Sequence, residues 1–341
     1  MIRNWKFWLG IAISAVALYL TLRGIHFDEF AATLARAQIA WLIPAMLALL
    51  VTLGLRTWRW SSLMEGTPFW ITFHALNIGY MLNCILPFRL GEIGRAYVIG
   101  ERTPVRMARA LSTVVVERIL DLAAVVVLFA AFALFLPMPP QFASAALTGA
   151  LFVIGLIVAA GVVIWQSARV ERLLLGIAWK VPQLKADLLV RRFHDLMAGF
   201  QIIRAPRKLA FVLILTAAVW VANISIAYFT MLAFLPGTLG EVGLVVVLSN
   251  LGGALPSAPG GLGVVQFFAM QSLVIPFHVP EDVAVAFAFV WSLSQQLALI
   301  VLGVIGLLRV GMSFSSVTTS VQGQEAETPS AGGQRAGVGG R

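Results

Sequence analysis

The chain has 341 residues, 60% hydrophobic and only 11% charged, with a mean hydropathy of +0.92. Soluble domains carry about 25% charged residues, so a soluble globule is excluded, while at about 20 residues per span a membrane protein of six to eight helices fits. The net charge of +9 would suggest nucleic acid in a soluble protein, but in a membrane chain it reports which side each loop occupies.

The first apolar run, 7–22, follows a short basic start (Arg3, Lys6). It has no small-residue cleavage site followed by a polar mature domain, so it reads as a retained anchor. The second, 39–55, ends in Arg56-Thr57-Trp58-Arg59-Trp60, which reads as an interfacial belt at the cytoplasmic end of a span, with phosphate contact by Arg56 or Arg59 the alternative. The third, 69–88, breaks over 86–95, Leu86-Pro87-Phe88-Arg89-Leu90-Gly91-Glu92-Ile93-Gly94-Arg95. Proline lacks the N–H that a continuing helix needs, and Gly91 and Gly94 permit a sharp turn. Runs 110–136 and 141–165 follow. The first carries Val116-Glu117-Arg118-Ile119-Leu120-Asp121, with Glu117 and Asp121 four apart on one helix face and Arg118 three before Asp121. Segment 166–208 is basic and periodic, which suits amphipathic helices on an anionic leaflet. Its apolar stripe would serve no nucleic acid, so that partner is excluded. After run 209–235, runs 242–256 and 261–276 flank a second break over 255–263, Leu255-Pro256-Ser257-Ala258-Pro259-Gly260-Gly261-Leu262-Gly263. Each of these two runs is about 15 residues, short for a span. The last run is 283–308. Residues 311–341 hold almost no large apolar side chains and read as a disordered tail behind a membrane domain of residues 1–310.

Counting Lys and Arg fixes the topology. Segment 89–109 carries five arginines and segment 166–208 carries nine basic residues, whereas 137–140, 236–241 and 277–282 carry none. If 69–88 dips in and returns to its own side, 21 of the 24 basic residues lie inside, two outside and Arg118 within a helix. The N- and C-termini are then cytoplasmic, in a plasma (inner) membrane. The fold class expected is all-α, a polytopic integral membrane protein with about six spanning helices and two re-entrant helical hairpins. Pro87, Gly91 and Gly94 map onto Pro256, Gly260 and Gly263 at a constant offset of 169, and the charge count puts the two breaks on opposite faces. Interrupted segments at matching positions of two halves point to an inverted repeat with a transporter's central site.

Non-helical backbone at membrane depth needs protein or water to satisfy it, so the first break implies a polar cavity. Arg89 and Arg95 there suit the phosphate of a lipid headgroup, helped by the N-terminus of the half-helix beginning near Gly91. The bland alternative is a Glu92–Arg95 pair at i, i+3 with both side chains snorkelling. On the face that carries Glu117, Arg118 and Asp121, the two acids either balance Arg89 or Arg95 or carry a proton, or the three form an ion-pair network that fixes helix packing. Asn77, Asn83 and Asn250 are candidates for hydrogen bonds between helices, with a substrate contact the alternative, and Asn83 joins Arg89, Glu92, Arg95, Glu117, Arg118 and Asp121 as a candidate substrate-binding residue. The four histidines (His26, His74, His194, His278) have no metal-ligand spacing, so no metal or cofactor is expected. The single cysteine, Cys84, excludes an internal disulfide.

Four stretches together resemble the membrane domain of the lysylphosphatidylglycerol synthase and flippase family, including its stand-alone members. They are Arg56 to Trp60, Asn83 to Arg95, Val115 to Asp121, and Leu255-Pro256-Ser257 through Gly260-Gly261-Leu262-Gly263. The resemblance implies lipid translocation through paired re-entrant segments, with Arg89, Gly91, Glu92, Arg95, Glu117, Arg118 and Asp121 lining or bracing the path. The chain departs from the family pattern at Gln266, where an acidic residue is frequent, and it lacks the soluble aminoacyl-transferase domain.

The expected function is a lipid translocase for a polar, phosphate-bearing lipid. No Gly-x-x-x-x-Gly-Lys-Ser/Thr loop occurs, so ATP is not expected to drive it. The rivals are an integral-membrane enzyme acting on a lipid headgroup, though no recognisable catalytic motif is present, and an accessory subunit of a lipid pathway. The partner expected is the lipid itself; a separate lipid-modifying enzyme and a homo-oligomer are compatible with this reading.

Overall fold

Long apolar stretches free of proline and charge form helices wherever the chain must satisfy its own backbone in hydrocarbon. A computed structural model describes residues 5–23, 25–64, 66–135, 205–253 and 257–326, with scattered residues between 148 and 202. No strand occurs among the described residues. The helices are α1 (Trp5–Leu22), α2 (Phe27–Arg36), α3 (Leu42–Leu63), α4 (Phe69–Ile85), α5 (Gly91–Arg102) and α6 (Met107–Phe135). The second half gives α7 (Pro206–Leu232), α8 (Leu239–Gly252), α9 (Val264–Phe277), α10 (Glu281–Val310) and α11 (Phe314–Ala326). Ile39–Leu63, Pro206–Leu232, Pro259–Phe277 and Glu281–Val310 are long and apolar enough to cross a membrane. The 29 residues of α6 reach about 43 Å at 1.5 Å per residue. The protein is thus an all-α polytopic membrane protein. Its surface carries an apolar girdle, with Leu47, Val51, Val127, Ile214, Val221, Val301 and Leu308 all exposed.

Two helical hairpins interrupt the bundle. In the first, α5 folds back along α4, and Gly79 sits against Gly91 so closely that a Cβ on Gly91 would lie 1.9 Å from the Gly79 carbonyl oxygen. Small residues let backbones approach in this way. In the second, α9 folds back along α8, with Gly252 under the ring of Phe268. Each hairpin enters and leaves by one face of the bundle. The ends of α5 and α10 meet where Arg102 Nη2 donates to the Gly311 carbonyl at 2.9 Å. On the other face, Gln38 N–H donates to the Ala233 carbonyl at 2.9 Å, and Thr33 Oγ1 on α2 donates to Asp282 at 2.7 Å.

The halves are related by exchange of α3, α4, α5 and α6 with α7, α8, α9 and α10. The packing pairs obey it: α4 packs on α10 as α8 packs on α6, and α5 on α6 as α9 on α10. Helices α3 and α7 pack on each other, and they run antiparallel. Trp41 at the start of α3 stacks on Phe229 near the end of α7, while Trp58 near the end of α3 meets Phe211 near the start of α7. The repeat is therefore inverted.

Three features depart from the sequence reading. Residues 314–326 form α11 instead of a disordered tail, and its Val317 is fully buried in the cluster that also contains Val98, Ile99 and Leu307. The Arg-Trp run at 56–60 is no simple surface belt, because Arg59 and Trp60 are both 0% exposed. A short helix, α2, lies between the first two runs. The loop 166–208 and the run 141–165 fall almost wholly outside the described residues, as do Leu255, Pro256 and everything after 326.

Candidate functional site: two hairpin tips beside a buried charge cluster

Pro87 to Arg89 make a single 3-10 turn at the tip of the first hairpin. Arg89 takes a left-handed backbone conformation, φ 53°, which costs a residue with a Cβ roughly 1–3 kcal/mol and persists only when surroundings impose it. Asn83 Oδ1 accepts the Gly91 N–H at 2.8 Å, capping the first turn of α5 from the preceding arm. The second tip is the Pro259–Gly261 turn, in which Gly260, Gly261 and Gly263 have φ of 69°, 69° and 83°. Only glycine enters that region freely. Gln266 is fully buried; its Oε1 accepts the Gly263 N–H at 2.8 Å and its Nε2 donates to Ser292 Oγ at 2.8 Å. From α1, Ser14 Oγ accepts the Ala258 N–H at 2.7 Å.

The two tips touch. The Arg89 guanidinium donates to the carbonyl of Gly253, at the end of α8. A Cβ on Gly260 would lie 3.6 Å from the Cys84 carbonyl, and Gln296 Nε2 on α10 donates to the Gly260 carbonyl at 3.3 Å. Segments 169 residues apart in sequence, entering from opposite faces, thus meet within the bundle.

Behind the first tip lies a charge cluster on three helices. Arg59 on α3, 0% exposed, donates to Glu117 Oε1 at 2.8 Å, Asp121 Oδ1 at 2.7 Å and Thr216 Oγ1 at 3.3 Å. Arg95 on α5 pairs with Glu117 Oε2 at 2.8 Å and lies 4.6 Å over the ring of Trp60, whose Nε1–H donates to Thr113 at 3.0 Å. Arg118 pairs with Glu92 at 3.1 Å and Asp121 at 3.7 Å. Arg56 lies 3.8 Å from Asp121 and donates to the Tyr80 hydroxyl at 3.2 Å. Moving such ions out of water costs several kcal/mol each, offset only when partners and geometry are good.

The cluster divides into an inner and an outer part. Arg59, Glu117 and Arg95 are sealed among packed side chains, so Arg95 braces α5 on α6 instead of facing an open cavity. The side chains of Arg118 and Glu92 keep 31% and 22% exposure and Arg56 keeps 13%, while Arg89 is exposed. A ligand approaching the tip would meet these. For Glu117, Arg118 and Asp121 the geometry is that of an ion-pair network joining α3, α5 and α6. Asn77 and Asn250 donate to carbonyls of their own helices, Phe73 at 2.8 Å and Val246 at 2.7 Å, and not to a neighbouring helix. Arg59 and Arg56, which the sequence places in an interfacial belt, belong to this cluster. Their i, i+3 spacing on one helix face was the available signal. Among the described residues, no three His, Cys, Asp or Glu side chains gather as metal ligands.

The sequence matches, over residues 7–303, the family described as lysylphosphatidylglycerol synthase TM region. A UPF0104 membrane protein of Methanothermobacter thermautotrophicus is 24% identical over 330 residues, covering 89% of this chain and 96% of the relative. No solved structure matches.

Proposed function

We propose, from the premise that this chain belongs to the lysylphosphatidylglycerol synthase transmembrane-region family, that it is a lipid translocase moving a polar, phosphate-bearing lipid between leaflets without ATP. The observation that carries the reading is the contact between two broken hairpins that enter from opposite faces, with Arg89 on the contact. Broken segments of an inverted repeat that meet inside the bundle are how many transporters build a site reachable from either side in turn. The phosphate would sit at Arg89 and Arg118, near the start of α5, where the helix dipole favours an anion. Arg95, Glu117, Asp121 and Arg59 would hold the hairpin that presents them. The proposed setting is the plasma membrane, with both termini at the face that carries Arg102 and Gly311.

The test is reconstitution into liposomes with labelled lipids in both leaflets, followed by quenching of the outer leaflet from solution. Translocation raises the quenched fraction above that of empty liposomes. No rise with any of several phosphate-bearing lipids would sink the proposal.

A further inference from the structure

Among the described residues, the charges around the tips are unbalanced, and the imbalance has a sign. Arg56, Arg59, Arg95 and Arg118 face Glu92, Glu117 and Asp121, and each of those carboxylates is already in an ion pair with a guanidinium. Arg89 adds a fifth cation. Its hydrogen bond goes to the Gly253 carbonyl, and no carboxylate is within 4 Å of it among the described residues. The second repeat supplies no compensation, because stretches 209–232, 264–277 and 283–308 contain no Lys, Arg, Asp or Glu. The one acid of the second hairpin, Glu241, caps the far end of α8 on Thr238.

We infer that this site selects lipids whose headgroup is net negative and discriminates against a cationic aminoacyl headgroup, with Arg89 as the selecting cation. The inference rests on the translocase reading and narrows its substrate. An ammonium group at the tip would meet Arg89 and Arg118 with every nearby carboxylate already engaged, and juxtaposed like charges are costly. A phosphate oxygen, by contrast, can replace the Gly253 carbonyl as partner of Arg89. The exchange is favourable because an ionised acceptor makes a stronger hydrogen bond than a neutral carbonyl. Glu92 is the one acid beside the tip, and its pairing with Arg118 at 3.1 Å lessens its repulsion of an anion.

The experiment uses the full chain in liposomes with trace fluorescent phosphatidylglycerol or its lysyl ester, read by outer-leaflet quenching. Equilibrium binding of the same two probes to detergent-solubilised protein is measured in parallel. Phosphatidylglycerol should move and bind at least about tenfold better than the lysyl ester. Arg89→Gln should erase most of that preference with the thermal midpoint unchanged, while Arg89→Lys keeps part of it. Equal or better transport and binding of the lysyl ester overturns the inference and leaves the translocase reading standing. If neither lipid moves, the translocase reading fails, and binding alone decides: a preference for phosphatidylglycerol that Arg89→Gln abolishes supports the anionic site, and its absence overturns it.

Discussion

Replacing Glu117 by Gln removes the charge that pairs with two buried guanidiniums, Arg59 and Arg95. Glu117 is 0% exposed and pairs at 2.8 Å with both Arg59 and Arg95, which are 0% and 2% exposed. Arg59 keeps Asp121 at 2.7 Å and Thr216, so it remains compensated. Among the described residues Arg95 keeps only the face of Trp60 at 4.6 Å, a contact worth about 2 kcal/mol when desolvated, less than the pair it loses. Removing one partner of a buried pair costs about 3–5 kcal/mol, since it strands the other charge. Glu117→Gln should therefore destabilise the protein by about that amount, most of it located at Arg95. Replacing both members by uncharged groups is often near neutral, so adding Arg95→Met to Glu117→Gln should restore about half the loss or more. Equilibrium unfolding in mixed micelles, run as a double-mutant cycle, measures both. A single variant within about 1 kcal/mol of the parent, or a double variant no better than the single, would refute the sealed cluster and mean that water reaches these groups.

Gly91→Ala puts a methyl 1.9 Å from the Gly79 carbonyl, a backbone atom that cannot yield without parting α4 from α5. Overpacking costs typically 1–3 kcal/mol, and here the loss of thermal midpoint should be accompanied by loss of lipid movement. Val317→Ala removes a fully buried side chain from the base of the first hairpin; about 1–2 kcal/mol of stability should go with it, whereas Thr319→Ala on the same helix should be neutral in the same melt. In a Cys84→Ser background, only one of Arg102→Cys and Pro280→Cys should label in intact cells with an impermeant maleimide, and the other only after lysis. Labelling of both from one side would contradict the separation of the two faces.

The backbone plan was legible because hydrocarbon enforces it: loops without basic residues, loops rich in them, and two Pro-Gly breaks leave few topologies. The breaks could also be matched by spacing alone, at 169 residues, and the structure brings them into contact. What sequence could not tell was the fate of an arginine near a helix end. Arg59 has the same local setting as a snorkelling residue. Its burial depends on Glu117 and Asp121, about sixty positions away, and on Thr216 still further off. The sequence offers Arg95 a phosphate or Glu92 as partner for the same reason, since Glu117, which holds it, lies on the next helix, while Glu92 pairs with Arg118. At α11 the Ser- and Thr-rich composition outweighed a real signal, the apolar positions Phe314, Val317 and Val321 at helical spacing on one face.

The symmetry of the packing and the asymmetry of the charge have different physical consequences. Helix α4 packs on α10 as α8 packs on α6, the repeated topology that inverted-repeat transporters use to open alternately to either side. Among the described residues, the charged side chains around the tips belong to one half only, and the polar groups gathered at the second tip, Ser14, Gln266, Ser292 and Gln296, are neutral and engaged with backbone or with one another. On the translocase reading, an anionic headgroup is therefore attracted from the face that carries Arg102 as far as Arg89, and beyond the contact it finds only neutral dipoles. A second set of guanidiniums beyond the tips would hold a phosphate there and slow its release. The neutral second tip offers nothing stronger than Arg89 to release from, so on that reading the Arg89–Gly253 contact is the point at which movement in either direction is decided.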